Sequence, residues 1–152
     1  MTKFGISQPV RRVEDVRFLT GKGSYIEDIS RPGELRAVFL RAPMAHATFD
    51  IDVSAAREAP GVHLVLAGSD LEAVMENDID KLSLPNLDGT TSATPKRPIL
   101  SVNRVRYVGE AVACVIAETV AQGKDATELI EVDYRELPVV TSMEDAMAEG
   151  AP

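Results

Sequence analysis

Seven consecutive apolar residues, Ala111 to Ala117, constrain this chain more than any other feature. The run is too long for a half-solvated strand and too short to span a membrane, so it predicts a strand covered on both sides. A frame from Arg104 to Leu137 surrounds it, reading as strand, turn at Gly109, buried strand, helix and strand. Thr119, with Gln122 three residues on, has capping-box spacing for the helix start. Ala126, Leu129 and Ile130 give that helix an apolar face, and Gly123 weakens it by about 1 kcal/mol relative to Ala. Ile130, Val132 and Tyr134 then alternate with Glu131, Asp133 and Arg135, the two-residue period of a strand with one wet face. These features locate a core and carry no chemistry of their own.

The length of 152 residues fits one ordinary domain, and 45% hydrophobic residues can fill its core. With 5% aromatics and no Trp, Val, Ile, Leu and Ala must dominate the packing. A formal charge of −8 has the wrong sign for non-specific nucleic-acid binding and serves solubility. Cys114 is the sole cysteine, so no internal disulfide forms and a reducing compartment fits. Met1-Thr-Lys-Phe-Gly lacks the apolar core of a signal peptide, and no transmembrane run occurs; the expected location is cytoplasmic.

Residues 1–34 are polar and broken by Gly and Pro. They read as an extended arm with a short strand near Ser24 to Ile26, anchored by Phe18, Leu19 and Tyr25, or else as a solvated tail. Residues 35–152 read as a single domain. Its strands are expected at Leu35 to Arg41, buried on most of both faces, at Ala47 to Val53 and at Val62 to Ala67. Ser54 is placed to cap a short helix that Pro60-Gly61 ends. Ser69 and Glu72 frame another helix, with Leu71, Val74 and Met75 inward. Residues 77–98 hold Asp88-Gly89 and a Thr-Thr-Ser run without sustained periodicity, and read as a long loop. Pro138 to Val140 closes the sheet, and Ser142 caps a last helix with Met143, Ala146 and Met147 inward. Short helices among irregularly spaced strands predict an α+β domain with a mixed, curved sheet.

No catalytic constellation emerges. Gly21-Lys-Gly-Ser24 lacks the earlier Gly of a Walker loop, and the dinucleotide pattern fails at Ile26. His46 and His63 have no zinc-type spacing, and Asp78 and Asp80 fall short of a calcium loop. Glu110, after Gly109, is the one carboxylate at an interesting turn; turn capping or an inter-domain hydrogen bond suits it better than general acid or base work. No catalytic, cofactor-binding or metal-binding residue is assigned.

Several blocks together carry a family resemblance. They are Arg11-Arg-Val-Glu-Asp15, Arg17-Phe-Leu-Thr-Gly-Lys-Gly23, Tyr25-Ile-Glu-Asp28, Arg41-Ala-Pro-Met-Ala-His-Ala47, Tyr107-Val-Gly-Glu110 and Glu128-Leu-Ile-Glu-Val-Asp-Tyr134. In order and spacing the chain resembles the N-terminal α/β-hammerhead domain of the molybdenum-binding large subunit in the xanthine dehydrogenase and aldehyde oxidase family, closest to the carbon monoxide dehydrogenase type. Ala42 and Met44 stand where that family often has Ser and His. The resemblance implies a non-catalytic module that packs beside cofactor domains of a hydroxylase. Molybdopterin would sit elsewhere in the large subunit, with FAD and 2Fe–2S clusters in partner domains or subunits. Arg11, Arg12, Glu14, Asp15, Gly109 and Glu110 are then the candidates for inter-domain contact. The alternatives are a freestanding binding or scaffolding protein of the same fold, or a small enzyme with its site at the Gly109-Glu110 turn.

Overall fold

The computed structural model describes residues 12–71, 84–91 and 98–152. The chain divides into two units, Met1–Glu34 and Leu35–Pro152. In the first, α1 (Asp15–Leu19) follows a turn in which the Asp15 N–H donates to the Arg12 carbonyl. The strand expected near Ser24 to Ile26 is instead a 3-10 turn, Ile26–Asp28. Asp28 takes the Tyr25 N–H at 2.8 Å, and this local acceptor outcompetes a ladder partner. Phe18 and Tyr25 stack with centroids 5.6 Å apart, while Leu19 remains 86% exposed and anchors nothing within its unit.

The second unit contains β1 (Arg36–Arg41), β2 (Ala47–Asp52), α2 (Ser54–Arg57), β3 (Val62–Ala67), α3 (Gly68–Leu71), β4 (Arg104–Val105), β5 (Ala111–Ala117), α4 (Val120–Glu128), β6 (Glu131–Glu136) and α5 (Met143–Ala146). It is α+β, and its strands are shared between two three-stranded sheets, β1-β5-β3 and β4-β2-β6, with every recorded pairing antiparallel. The apolar run is the central strand of the first sheet, which explains why it needs no polar alternation.

Ala113, Val115 and Ala117 face α4 and α2, and form the first core cluster with Ala56, Val65, Ala67 and Ala126. Val112 belongs to the second cluster, with Ala42, Ala47, Phe49 and Val105 beneath the other sheet. Adjacent strand residues point to opposite faces, and the register shift at Leu40 and Arg41 leaves Val112 as the extra residue of a bulge. One strand thereby serves two cores. β1 alternates half-buried and exposed rather than burying both faces, because α4 covers only the side bearing Val38. On the other side Phe39 and Leu64 are 44% and 48% exposed.

Gly123 has a reason the helix scale does not contain. A Cβ there would lie 2.6 Å from Cγ2 and 3.2 Å from Cβ of Val38, so the missing methyl lets α4 settle onto β1. Gly68 is tighter still, with the Ser101 carbonyl 2.3 Å from where its Cβ would be.

Thr119 caps α4, accepting the Gln122 N–H at 3.2 Å and donating its hydroxyl to Gln122 Oε1 at 2.7 Å. Ser142 likewise accepts the Asp145 N–H ahead of α5, but Met143 and Met147 lie outward rather than inward, at 79% and 87% exposure. Ser54 does not cap α2. The Asp52 carboxylate takes both its N–H and its hydroxyl, because an acid two residues upstream closes an Asx turn first. In α3 the Asp70 carboxylate accepts the Ala67 N–H, whereas Glu72, Val74 and Met75 lie outside the described residues. Of the loop at 77–98, residues 84–91 form a tight turn closed by the Asn86–Thr90 backbone bond and the Pro85–Thr91 bridge. Pro138 to Val140 joins no strand. Among the described residues no helix is long and apolar enough to cross a membrane.

Candidate functional site

Within the second unit, the Gly109-Glu110 turn carries the chain from β4 in one sheet to β5 in the other. Gly109 has φ +91°, a backbone conformation that favours glycine. Its N–H donates to the Ala42 carbonyl at 2.8 Å, and the Ala42 N–H returns a bond to the Glu110 carbonyl at 2.8 Å. Arg41 Nη1 donates to the Gly109 carbonyl at 2.9 Å. Glu110 itself is buried, and its Oε2 accepts the Arg106 N–H at 2.5 Å. The carboxylate thus clamps the turn from inside, which fits the turn-capping role better than a catalytic one. Tyr107 and Val108, at the turn's tip, are 60% and 65% exposed.

The other candidates are in the first unit. Arg12 and Glu14 are exposed and Asp15 half-buried where the chain enters α1, and Arg11 lies outside the described residues. Of the five candidates among the described residues, Gly109 and Glu110 share a turn of the second unit, and Arg12, Glu14 and Asp15 share the entry to α1 in the first.

Sequence reasoning missed a basic cleft within the second unit. Arg104 and Arg106 lie two residues apart, on and just after β4, and line a cavity of about 320 Å³ with His46, Pro138 and Val139. His46 Nδ1 sits 2.7 Å from the Pro138 carbonyl and donates to it, since a carbonyl only accepts; the ring is fixed as a structural group. Leu137 N–H closes the same junction on the His46 carbonyl. Arg104 and Arg106 also border a second cleft of about 460 Å³, whose far side holds Asp50 and Arg135. There Arg135 is paired to Asp50 and lies 3.5 Å from Asp133, and its hydrogen bond to Asp50 raises its pKa further. Among the described residues neither Arg104 nor Arg106 has a carboxylate partner within ion-pair distance.

Cys114 is buried, and burial pushes its thiol pKa up, as expected for a packed residue rather than a nucleophile. Among the described residues no group of three or more His, Cys, Asp and Glu side chains is placed to hold a metal ion.

Comparison with known proteins fits this architecture. Residues 20–138 match the family model described as the aldehyde oxidase and xanthine dehydrogenase a/b hammerhead domain. The chain is 40% identical over 141 residues to the nicotine 6-hydroxylase large subunit of Paenarthrobacter nicotinovorans, covering 92% of this chain and 17% of that one. It is 38% identical over 143 residues to the carbon monoxide dehydrogenase large chain of Afipia carboxidovorans, covering 93% and 16%. Among solved structures, quinoline 2-oxidoreductase from Pseudomonas putida 86 superposes with a TM-score of 0.80 at 40% identity, over 98% of this chain and 18% of that one. The Cu,Mo-CO dehydrogenase superposes with a TM-score of 0.76 at 37% identity. The chain spans less than a fifth of the length of these relatives. It belongs to the a/b hammerhead domain family of aldehyde oxidase and xanthine dehydrogenase.

Proposed function

We propose that this chain is a supporting domain of a molybdenum hydroxylase large subunit, holding its place beside the cofactor-binding domains without contributing a catalytic group. One observation carries this reading: more than nine-tenths of the chain matches less than a fifth of each of these relatives. Relatives bear the descriptions Cu,Mo-CO dehydrogenase and xanthine dehydrogenase molybdenum-binding subunit. In this reading molybdopterin is held by other parts of the large subunit, FAD and 2Fe–2S clusters belong to partner domains or subunits, and the assembly is cytoplasmic. The half-exposed Phe39 and Leu64 and the Tyr107-Val108 tip offer apolar surface for such neighbours, and the Arg12–Asp15 turn offers charges.

The test is a chimera. The corresponding region of the Afipia carboxidovorans carbon monoxide dehydrogenase large chain is replaced by this chain, and assembly, molybdenum content and CO oxidation are measured. The reading expects an assembled, molybdenum-loaded enzyme, and weaker assembly when Arg12→Glu and Glu14→Arg are introduced together. Tightly held molybdenum or turnover in the 152-residue chain by itself would overturn it.

A further inference from the structure

We propose that the cleft between Arg104, Arg106, His46 and the Pro138–Val139 segment docks an acidic protein segment, one whose carboxylates are carried on apolar stems. The identity of that segment as part of the neighbouring large-subunit domain rests on the function proposed above; the chemistry of the cleft does not.

Three observations lead here. First, the chain has 24 acidic residues against 16 Lys and Arg, yet among the described residues no acidic side chain lines this cavity. Two guanidiniums without carboxylate partners among the described residues, in a chain of net charge −8, make a local reversal of sign. Such a reversal selects anionic partners and speeds their encounter.

Second, the arginines are held from below. Arg104 and Val105 pair with Thr48 and Ala47, and the Arg106 N–H is taken by the buried Glu110 carboxylate. Glu110 is therefore a positioning residue: it fixes the backbone from which the Arg106 side chain leaves. It also removes the Arg106 N–H from the donors a bound phosphate could use. A phosphate cradle needs several converging backbone N–H groups, whereas guanidinium forks suit carboxylates, which they grip in bidentate fashion.

Third, the rest of the lining is largely apolar. Beyond His46 and the arginines, the cavity is lined by Ala45, Pro138, Val139, Val140 and Pro152, all with aliphatic side chains, and Val139 is half exposed. Cations and aliphatic side chains lining one cavity match a Glu side chain, or an Asp beside an apolar residue, better than a bare ion.

The experiment uses the purified chain and a fluorescein-labelled peptide, Gly-Leu-Glu-Leu-Glu-Gly, beside its Gln counterpart, with inorganic phosphate as competitor. The Glu peptide should bind more tightly than the Gln peptide. Its affinity should fall about tenfold or more in the R104A/R106A variant. It should also weaken as salt rises from about 50 to about 300 mM. Far-UV circular dichroism and Tm of the variant, unchanged from the parent, show that its fold is kept; a variant that unfolds is replaced by R104Q/R106Q. Equal binding of the two peptides, indifference to the arginines, or phosphate binding as strongly as the peptide would each overturn the proposal. A second arm places R104E/R106E in the chimera. Assembly lost there while the K124E control assembles supports the docking role; assembly kept with R104E/R106E overturns it. Failure of the parent chimera to assemble bears on the proposed function, and the peptide arm still decides the cleft.

Discussion

The carboxylate of Glu110 accepts the backbone N–H of Arg106 at 2.5 Å from a residue that is 6% exposed. The bond closes the turn that passes the chain from one sheet to the other, and the same turn is tied to Ala42 through two backbone bonds. A buried carboxyl group at this depth is tolerated because it has a donor in hydrogen-bond range. The one carboxylate that the sequence marked as chemically interesting is thus spent on architecture.

Replacing Glu110 with Ala should leave the Arg106 N–H without its acceptor and cost about 2–3 kcal/mol of stability. Glu110→Gln keeps an acceptor oxygen and should cost about 1 kcal/mol. Urea unfolding of the two variants separates a hydrogen-bonding role from a purely steric one. Equal stability of parent and Glu110→Ala would remove the clamp from the account.

Acid should release the exposed Asp turns only below the ordinary carboxyl range. Bonds from the Ser54 hydroxyl, then from its backbone N–H, hold the Asp52 carboxyl below its ordinary value of 3.8. A depressed folded pKa contributes stability above the unfolded value and loses it as pH falls through the folded one. Asp88, bonded to the Thr90 hydroxyl and N–H, has the same sign. Ser54→Ala should therefore move the Asp52 pKa upward towards 3.8 and leave Asp88 in place. NMR titration of the carboxyl carbons checks both; an unmoved Asp52 would mean that Ser54 is not the cause.

Cys114 should react slowly with a thiol reagent at about pH 8 in the native protein and quickly after unfolding in guanidinium. Its pKa is raised by burial, and 7% exposure limits approach of the reagent. Rapid native labelling would show that the first sheet opens more readily than its packing implies.

What the sequence made legible was local. The Ala111–Ala117 strand, the Thr119 cap and the alternation of β6 all depend on neighbours within a few residues, and all are present. The division into two sheets was not legible, because it depends on β2 choosing β4 and β6 while β5 chooses β1 and β3. Ser54 was read as a cap because its type fits; Asp52, two residues earlier, captured the same groups. The basic cleft was hidden for a related reason. His46 and Pro138 are 92 residues apart, and only the fold sets them beside Arg104 and Arg106. A weak signal existed in the Arg-Val-Arg alternation, which places two cations on one strand face.

Gly123 gives the sharpest test of packing against propensity. On an isolated helix Gly123→Ala should gain about 1 kcal/mol. Here the new methyl would meet Cγ2 of Val38 at 2.6 Å, and a β-branched side chain, stiff at χ1, cannot easily turn aside beneath α4. Overpacking of this kind costs about 1–3 kcal/mol, so the net effect should be destabilising. Val38→Ala alone should also destabilise, by leaving a void under α4. Together the two changes remove two methyls at Val38 and return one at Gly123, where the clash with Cγ2 is gone, so the double variant should be more stable than the sum of the singles predicts, with a coupling of about 1 kcal/mol or more. Additive losses in a double-mutant cycle would mean that α4 shifts away from β1 rather than pressing on it, and a stabilised Gly123→Ala single variant would show that propensity outweighs contact at this position.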